Sequence, residues 1–169
     1  MERLSEFSKK ILSCKKVGID SCLFIYMFEQ NRVYEPLASV VFDAASRGKV
    51  HIVTSTLTVG EIFVKVFEKK DTMLLTIYEN MFHTLPNFTL LSVDYTLASL
   101  TAHVRAKYGM RLPDAIQISA AIVAGANCFL TNDKRLQKVT DIEVVYLKDY
   151  VSKMSVEKTV SDKRLNKKF

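Results

Sequence analysis

The 169 residues, 49% of them hydrophobic and 25% charged, fit one domain with a hydrophobic core and exclude a chain that is disordered along most of its length. No apolar run reaches the roughly 18 residues that a membrane-spanning helix needs, and the N-terminus lacks the apolar segment of a signal peptide, so we expect a cytoplasmic protein that enters no membrane. The formal net charge of +6 is compatible with a polyanionic partner such as RNA but does not require one.

The chain begins with a predicted helix over residues 2–14, where apolar side chains recur at helical spacing. A short buried strand, Lys16–Asp20, follows and ends in an acid. Such an acid must be solvated, paired or used as a helix cap, because its burial alone is costly. Either Asp20 or Ser21 can cap the next predicted helix, which runs to Phe28. This segment alone does not separate a capping Asp20 from a functional one.

The middle of the chain continues the alternation of helix and strand. The pattern predicts a helix Glu35–Arg47 ended by Gly48, a strand Val50–Thr54, a helix that opens at Thr56 or Thr58, a helix Asp71–Leu85 and a strand Phe88–Val93. Glu61 lies in the third of these segments, beside Gly60. A glutamate on a helix usually faces solvent, but the glycine allows another segment or a ligand to approach closely.

The last part contains two further acids at element boundaries. The pattern predicts a helix capped by Asp94 that ends near Gly109, a helix with Pro113 in its first turn that runs to Ala124, a strand Cys128–Thr131 and a strand Ile142–Leu147. Asp114 stands in the first turn of a mostly apolar helix, where it either complements the helix dipole or serves a site. Asp133 follows a strand, either as part of a simple turn or as a ligand.

Apolar strands that alternate with helices predict an α/β fold, a three-layer sandwich with a central, mainly parallel sheet. Ligands of such folds gather beyond the carboxyl ends of the strands, where Asp20, Asp114 and Asp133 can converge. Several carboxylates at close range repel one another unless a cation neutralises them. Mg²⁺ and Mn²⁺ prefer such oxygen ligands, and a cation held in this way supports hydrolysis of a phosphodiester.

The other metal-binding residue types do not form a motif. The three histidines lack the spacing of a zinc site, and the three cysteines, Cys14, Cys22 and Cys128, include no CxxC pair. We therefore interpret the cysteines as reduced, partly buried thiols.

Four segments, VGIDSCLFIY, TSTLTVGEIF, LPDAIQISAAIVAGA and FLTNDKRL, resemble the PIN-domain family in content and order, and within it the toxin-type ribonucleases called VapC. The resemblance spans roughly residues 16–147. It implies a mainly parallel sheet between helices, an acidic cleft that binds Mg²⁺ or Mn²⁺, and endonucleolytic cleavage of single-stranded or structured RNA. By analogy it also implies an antitoxin protein as partner.

Residue by residue, the resemblance implies that four catalytic acids hold the metal: Asp20, Glu61, Asp114 and Asp133. Asp20 and Asp114 are expected to be the most direct ligands. Ser21 and Thr131 match positions where the family often carries a supporting hydroxyl, although capping or turn formation explains either. Arg111 and Lys134 lie beside the acids and could contact RNA phosphates, whereas we favour an ordinary surface charge for Arg135.

The resemblance also suggests a division of the chain. We predict an N-terminal helical extension over residues 1–15, a PIN-like nuclease domain over 16–150 and a basic C-terminal tail over 151–169. The tail is either a solvated terminus or an RNA contact. The apolar helices 35–47 and 71–85 belong to the core or offer surfaces for an antitoxin or a homodimer.

Three other functions are compatible with the sequence to different degrees. A non-catalytic RNA-binding or scaffolding PIN domain is the main alternative, although all four acids are present. A phosphatase of the Asp-x-Asp type is not supported, because Asp20 is followed by Ser21 and Cys22. A DNA nuclease would use the same acids, and no residue recognisably reads a 2′-hydroxyl.

Overall fold

A computed structural model describes residues 2–29 and 31–151. Its helices are α1 (Glu2–Ser13), α2 (Ser21–Phe28), α3 (Glu35–Ser46), α4 (Leu57–Lys69), α5 (Thr72–Thr84), α6 (Tyr95–Tyr108) and α7 (Leu112–Val123), with short 3₁₀ helices at Lys134–Lys138 and Leu147–Tyr150. Its strands are β1 (Lys16–Ile19), β2 (His51–Ser55), β3 (Phe88–Leu91), β4 (Cys128–Thr131) and β5 (Glu143–Tyr146). The predicted basic tail lies, except for Val151, outside the described residues.

The five strands form one sheet in the order β3-β2-β1-β4-β5, and every neighbouring pair is parallel. The predicted parallel α/β fold is therefore confirmed. From β1 the chain builds outward through β2 to β3 on one side, and it later returns to add β4 and β5 on the other. The strand order thus reverses between β1 and β4, and the crevice beyond their carboxyl ends is where α/β sheets bind ligands.

Helices cover both faces of the sheet and divide the core in two. In β4, Cys128 and Leu130 belong to the larger cluster of buried side chains, which includes Phe7 and Ile11 of α1. Phe129, which points to the opposite face, belongs to the smaller cluster with residues of α6 and α7. The alternation follows from the two-residue period of a strand. Helix α1 is an integral part of the core, and the domain boundary at residue 15 stays a prediction.

Gly18 lets α7 approach the centre of the sheet. A Cβ atom added at Gly18 would lie 2.4 Å from the Cβ of Ala121 and 2.9 Å from Cδ2 of Phe129. No side chain other than hydrogen fits this position without movement of the helix or the ring. The close approach places the N-terminus of α7, and with it Asp114, at the carboxyl edge of the sheet.

The three cysteines are free thiols, as predicted, with Cys14 and Cys128 buried. Their sulfur atoms lie 3.2 Å apart, where the end of α1 meets the start of β4. In the described part of the chain, no helix is long and apolar enough to cross a membrane.

Candidate active site

Asp20 lies directly after β1, the central strand, and its backbone N–H donates to the Leu130 carbonyl at 3.0 Å. Its carboxylate accepts a hydrogen bond of 2.7 Å from the Thr131 hydroxyl and a longer one of 3.3 Å from the Ser21 hydroxyl. Although Asp20 occupies the position before α2, its side chain makes no capping hydrogen bond to that helix. The side chain of Asp20 therefore does not cap α2, which was one of the two roles that the sequence left open.

Burial raises the pKa of Asp20 above its ordinary value, and the negative charges of Glu61 and Asp114 raise it further, while the hydrogen bond from Thr131 acts in the opposite direction. Three of the four predicted acids therefore interact electrostatically at this edge of the sheet. Carboxylates that crowd together in this way favour the binding of a cation.

Glu61 lies on α4 and is half-buried. Its Oε2 atom faces the side-chain amide of Gln117, whose Nε2 lies 3.4 Å away. A Cβ atom added at the neighbouring Gly60 would meet nothing within 4 Å. No described segment therefore packs against Gly60, and of the two possibilities that the sequence left open, a neighbouring segment or a ligand, only the ligand remains.

Gln117 is the centre of a buried polar network that the sequence did not reveal. Its amide Nε2 donates to the Thr58 hydroxyl at 2.6 Å, and its Oε1 accepts from the hydroxyls of Thr54 at 3.2 Å and Ser55 at 3.1 Å. The Thr54 hydroxyl also contacts the carbonyl of Ile19 at 3.0 Å. The network joins β1, β2, α4 and α7. The one available signal was the position of Gln117, three residues after Asp114 and so on the same face of α7.

Asp114 lies in the first turn of α7, with 16% of its side chain exposed. The guanidinium of Arg111 donates to both of its oxygens, from Nε at 3.1 Å and from Nη2 at 3.2 Å. A second guanidinium, from Arg135, lies 3.9 Å away. Arg111, predicted as a phosphate contact, is thus paired with an acid, and Arg135 is part of the site as well.

Asp133 follows β4 and takes part in a turn. Its carboxylate accepts from the backbone N–H of Arg135 at 2.9 Å and caps the 3₁₀ helix that begins at Lys134. The guanidinium of Arg135 pairs with both carboxylate oxygens and lowers the pKa of Asp133 below its ordinary value. The turn function is therefore present, and Lys134 beside it is exposed.

Asn132, between Thr131 and Asp133, was not among the predicted site residues. Its Nδ2 donates to the Tyr26 hydroxyl at 3.0 Å, whereas its Oδ1 is buried without a hydrogen-bond partner. A buried acceptor without a donor is costly, and an acceptor oxygen beside an acidic cluster suits a cation or its hydration water.

Within residues 2–29 and 31–151, no group of three or more histidine, cysteine, aspartate or glutamate side chains has the arrangement of a metal site. Two of the four acids face arginines instead, while neither Asp20 nor Glu61 has an ion-pair partner in that part of the chain. The donor set is nonetheless all oxygen, and it includes the unpartnered Asn132 carbonyl. These residues fit a hard divalent cation such as Mg²⁺ or Mn²⁺.

Comparisons with known proteins agree with this fold. A sequence model of the PIN domain matches residues 17–142. Among proteins of curated function, none matches the sequence. The structure is similar to a toxin–antitoxin complex from Klebsiella pneumoniae, with 19% identity, a TM-score of 0.57 and coverage of 78% of this chain and 97% of that chain. It is also similar to VapBC2 from Rickettsia felis bound to a DNA fragment from their promoter, with 12% identity, a TM-score of 0.60 and coverage of 78% and 98%.

These identities are low, so the two structures establish the likeness of the fold, and they confirm the resemblance to VapC-type proteins at that level. The sequence match extends over most of the chain and includes Asp20, Glu61, Asp114 and Asp133. The chain belongs to the PIN-domain family.

Proposed function

We propose that this protein is a metal-dependent endoribonuclease that hydrolyses phosphodiester bonds of single-stranded or structured RNA. The observation that carries the proposal is the position of Asp20. It is mostly buried at the carboxyl end of the central strand, oriented by Thr131 and in electrostatic contact with Glu61 and Asp114. An acid that is oriented at the reversal of the strand order, and not used as a cap, fits a catalytic role.

Asp20, Glu61, Asp114 and Asp133 are the residues that would hold Mg²⁺ or Mn²⁺. When bound by carboxylates, such a cation polarises the phosphate, activates water and stabilises the leaving oxygen. Asp20 and Glu61 would bind the cation without first releasing a cationic partner, because neither forms an ion pair within the described residues. Asp133 would be the least direct ligand, because its carboxylate already caps a 3₁₀ helix and pairs with Arg135.

The surrounding polar residues orient the acids. Thr131 and Ser21 donate to opposite oxygens of Asp20 and limit rotation of its carboxylate. Gln117 faces Glu61 from the buried network and holds one of its oxygens towards the sheet edge. Arg111 and Lys134 lie at the rim, where they can contact RNA phosphates on either side of the scissile bond.

We also propose an antitoxin protein as partner. Both similar structures contain toxin–antitoxin pairs, and the described surface has apolar side chains that a partner can cover. Val64 and Phe67 on α4 and Met73 and Ile77 on α5 are exposed. Exposed apolar side chains in one region are typical of protein interfaces. A second copy of the chain, in a homodimer, is the alternative occupant of this surface. The apolar face of α3 serves neither partner, because it is buried in the core.

The main alternative is a non-catalytic PIN domain that binds RNA or acts as a scaffold. The arginines that face Asp114 and Asp133 favour it, because a guanidinium can replace a cation in neutralising an acid permanently. The two functions predict opposite results for metal binding, so they can be separated by experiment.

Cleavage of a mixed pool of single-stranded RNA by chelator-stripped protein tests the proposal, with and without Mn²⁺. We expect cleavage in the presence of Mn²⁺, none in the Asp114→Asn variant and undiminished cleavage in the Asp43→Asn control, since Asp43 is exposed on α3 near the opposite edge of the sheet. Absence of both Mn²⁺ binding and cleavage in folded wild-type protein would reject the nuclease and favour the scaffold.

A further inference from the structure

Two arginines cover the two outer acids of the candidate site. The guanidinium of Arg111 donates to both carboxylate oxygens of Asp114, and the guanidinium of Arg135 donates to both carboxylate oxygens of Asp133. Arg135 also reaches to within 3.9 Å of Asp114. The second arginine thus joins two acids from different elements, the first turn of α7 and the turn after β4. We call these two arginines the arginine clasp.

The clasp is exposed, whereas the acids beneath it are held in place. The side chains of Arg111 and Arg135 are 65% and 59% exposed, but those of Asp114 and Asp133 are only 16% and 23% exposed. The acids belong to packed elements, while each guanidinium ends a long side chain that extends over them from solvent. The arginines can therefore change partner at little cost, and the acids cannot.

Guanidinium and metal compete for the same oxygens. A fork that donates to both oxygens of a carboxylate occupies the side from which a cation would bind both. The positive charge of the guanidinium also opposes the approach of a divalent cation. Asp20 and Glu61 lie outside the clasp and would hold a cation without displacing an arginine, whereas Asp114 would help to hold it only if Arg111 moved away.

Arginines released in this way would stand at the rim of an RNA-cleaving site. The planar fork that pairs with a carboxylate pairs equally well with two oxygens of a phosphate. The backbone of a nucleic acid carries a phosphate at every linkage, and each phosphate that an arginine neutralises strengthens binding.

We propose that Arg111 and Arg135 exchange partners during the reaction cycle: they neutralise Asp114 and Asp133 before the cation binds, and they bind RNA phosphates once it has. This inference rests on the proposed nuclease function. It assigns Arg135 a part in substrate binding, where the sequence favoured an ordinary surface charge. It also predicts that loss of the clasp affects metal and RNA in opposite directions, which a purely structural ion pair would not do.

The test compares the wild type with Arg111→Gln, Arg135→Gln and the double variant. Arg47→Gln is the matched control, because Arg47 is an exposed arginine that follows α3 at the opposite edge of the sheet. Calorimetric titration measures Mn²⁺ affinity without RNA. Fluorescence anisotropy then measures binding of a single-stranded RNA with phosphorothioate linkages, which resist hydrolysis, in Mn²⁺ at several salt concentrations.

We expect each clasp variant to bind Mn²⁺ roughly two- to fivefold more tightly, the change that removal of an exposed ion pair gives. RNA binding should weaken, and its logarithmic salt dependence should fall by about 0.7 for each lost phosphate contact. The control should change neither quantity. Equal Mn²⁺ affinity in wild type and clasp variants, or weaker affinity in the variants, would overturn the exchange while leaving the nuclease intact. Absence of Mn²⁺ binding in the wild type would overturn both.

Discussion

The Thr131 hydroxyl donates a hydrogen bond of 2.7 Å to the Asp20 carboxylate. Asp20 directly follows β1, and Thr131 is the last residue of the adjacent parallel strand β4. The register that pairs Ile19 with Leu130 brings Asp20 and Thr131 side by side. The same hydroxyl accepts from the backbone N–H of Asp133 at 3.0 Å. Thr131 therefore links the acid after β1 to the turn that contains the acid after β4.

Replacement of Thr131 by valine, which has nearly the same shape, removes both hydrogen bonds of the hydroxyl. We expect a loss of about 1–3 kcal/mol in the free energy of unfolding, because the N–H of Asp133 and the carboxylate of Asp20 lose a buried partner. Urea denaturation measures this loss. Thr131→Ser keeps the hydroxyl and should recover most of the stability. A valine variant as stable as the wild type would show that the hydroxyl has no such function.

The pKa of Asp20 has a consequence for the pH dependence of stability. Burial raises this pKa in the folded protein, whereas the unfolded chain titrates at about 3.9. The folded state therefore binds more protons between the two pKa values, and stability falls as the pH rises through that window. Without metal, Asp20→Asn should be more stable than the wild type at pH 7, and this advantage should vanish below the unfolded pKa.

Thermal unfolding of chelator-stripped protein across that pH range measures the difference. Added Mn²⁺ should make the wild type more stable than Asp20→Asn at pH 7, because bound cation stabilises the wild type, whereas the variant lacks one of the ligands. An Asp20→Asn variant that is less stable than the stripped wild type at pH 7 would contradict the account.

Gln117 stabilises the fold through its buried network. Gln117→Leu leaves the Ser55 hydroxyl without its acceptor and removes the amide that donates to Thr58, whose hydroxyl keeps only its contact of 2.6 Å with Thr54. We expect a loss of about 2–4 kcal/mol in the free energy of unfolding. Gln137→Leu, on the exposed surface, is the control and should cost less than about 0.5 kcal/mol. Denaturant titration of both variants tests this, and similar losses in the two would refute the network's importance.

Gly18→Ala should separate α7 from the sheet. The added methyl group would meet Ala121 at 2.4 Å, and overpacking of this kind costs about 1–3 kcal/mol. Mn²⁺ affinity should fall as well, because α7 carries Asp114. Adding Ala121→Gly removes the opposing methyl group, which is the nearer of the two contacts, and should restore part of the affinity, since Cδ2 of Phe129 still lies 2.9 Å from the added Cβ. If the double variant binds Mn²⁺ no better than Gly18→Ala alone, the close approach is not the cause.

Gly60→Ala provides the converse case. No atom lies within 4 Å of the added Cβ, and alanine favours a helix over glycine, so stability should rise by about 0.5–1 kcal/mol. Thermal or denaturant unfolding measures the change. A decrease would indicate that the open face of α4 is more restricted than the structure describes.

The order of helices and strands could be predicted from the sequence, because the periodicity of apolar residues determines the type of each element and the face that it buries. The strand predicted at Val50–Thr54 is observed one residue later, at His51–Ser55, and the one predicted at Phe88–Val93 ends at Leu91. Such shifts occur at element ends, where hydrogen bonding rather than periodicity decides the boundary.

The site was less predictable, because its contacts join residues far apart in the chain. Gln117 and Thr58 are 59 positions apart, and no local pattern couples an amide on one helix to a hydroxyl on another. The pairing of Arg135 with Asp114 depends in the same way on how the turn after β4 lies against α7. The sequence left Asp20 open as either a helix cap or a functional acid, and only the structure separates the capping alternative from the hydrogen bonds that its carboxylate makes.

Asp20, Glu61 and Asp114 are the ligands that we propose for a divalent cation. An anomalous difference map of crystals soaked in Mn²⁺ tests this proposal most directly. We expect a single strong peak, or a close pair, within coordination distance of the carboxylates of Asp20 and Asp114, with Arg111 turned away from Asp114. A map without a peak at these acids, from crystals that bind Mn²⁺ elsewhere or not at all, would contradict the account.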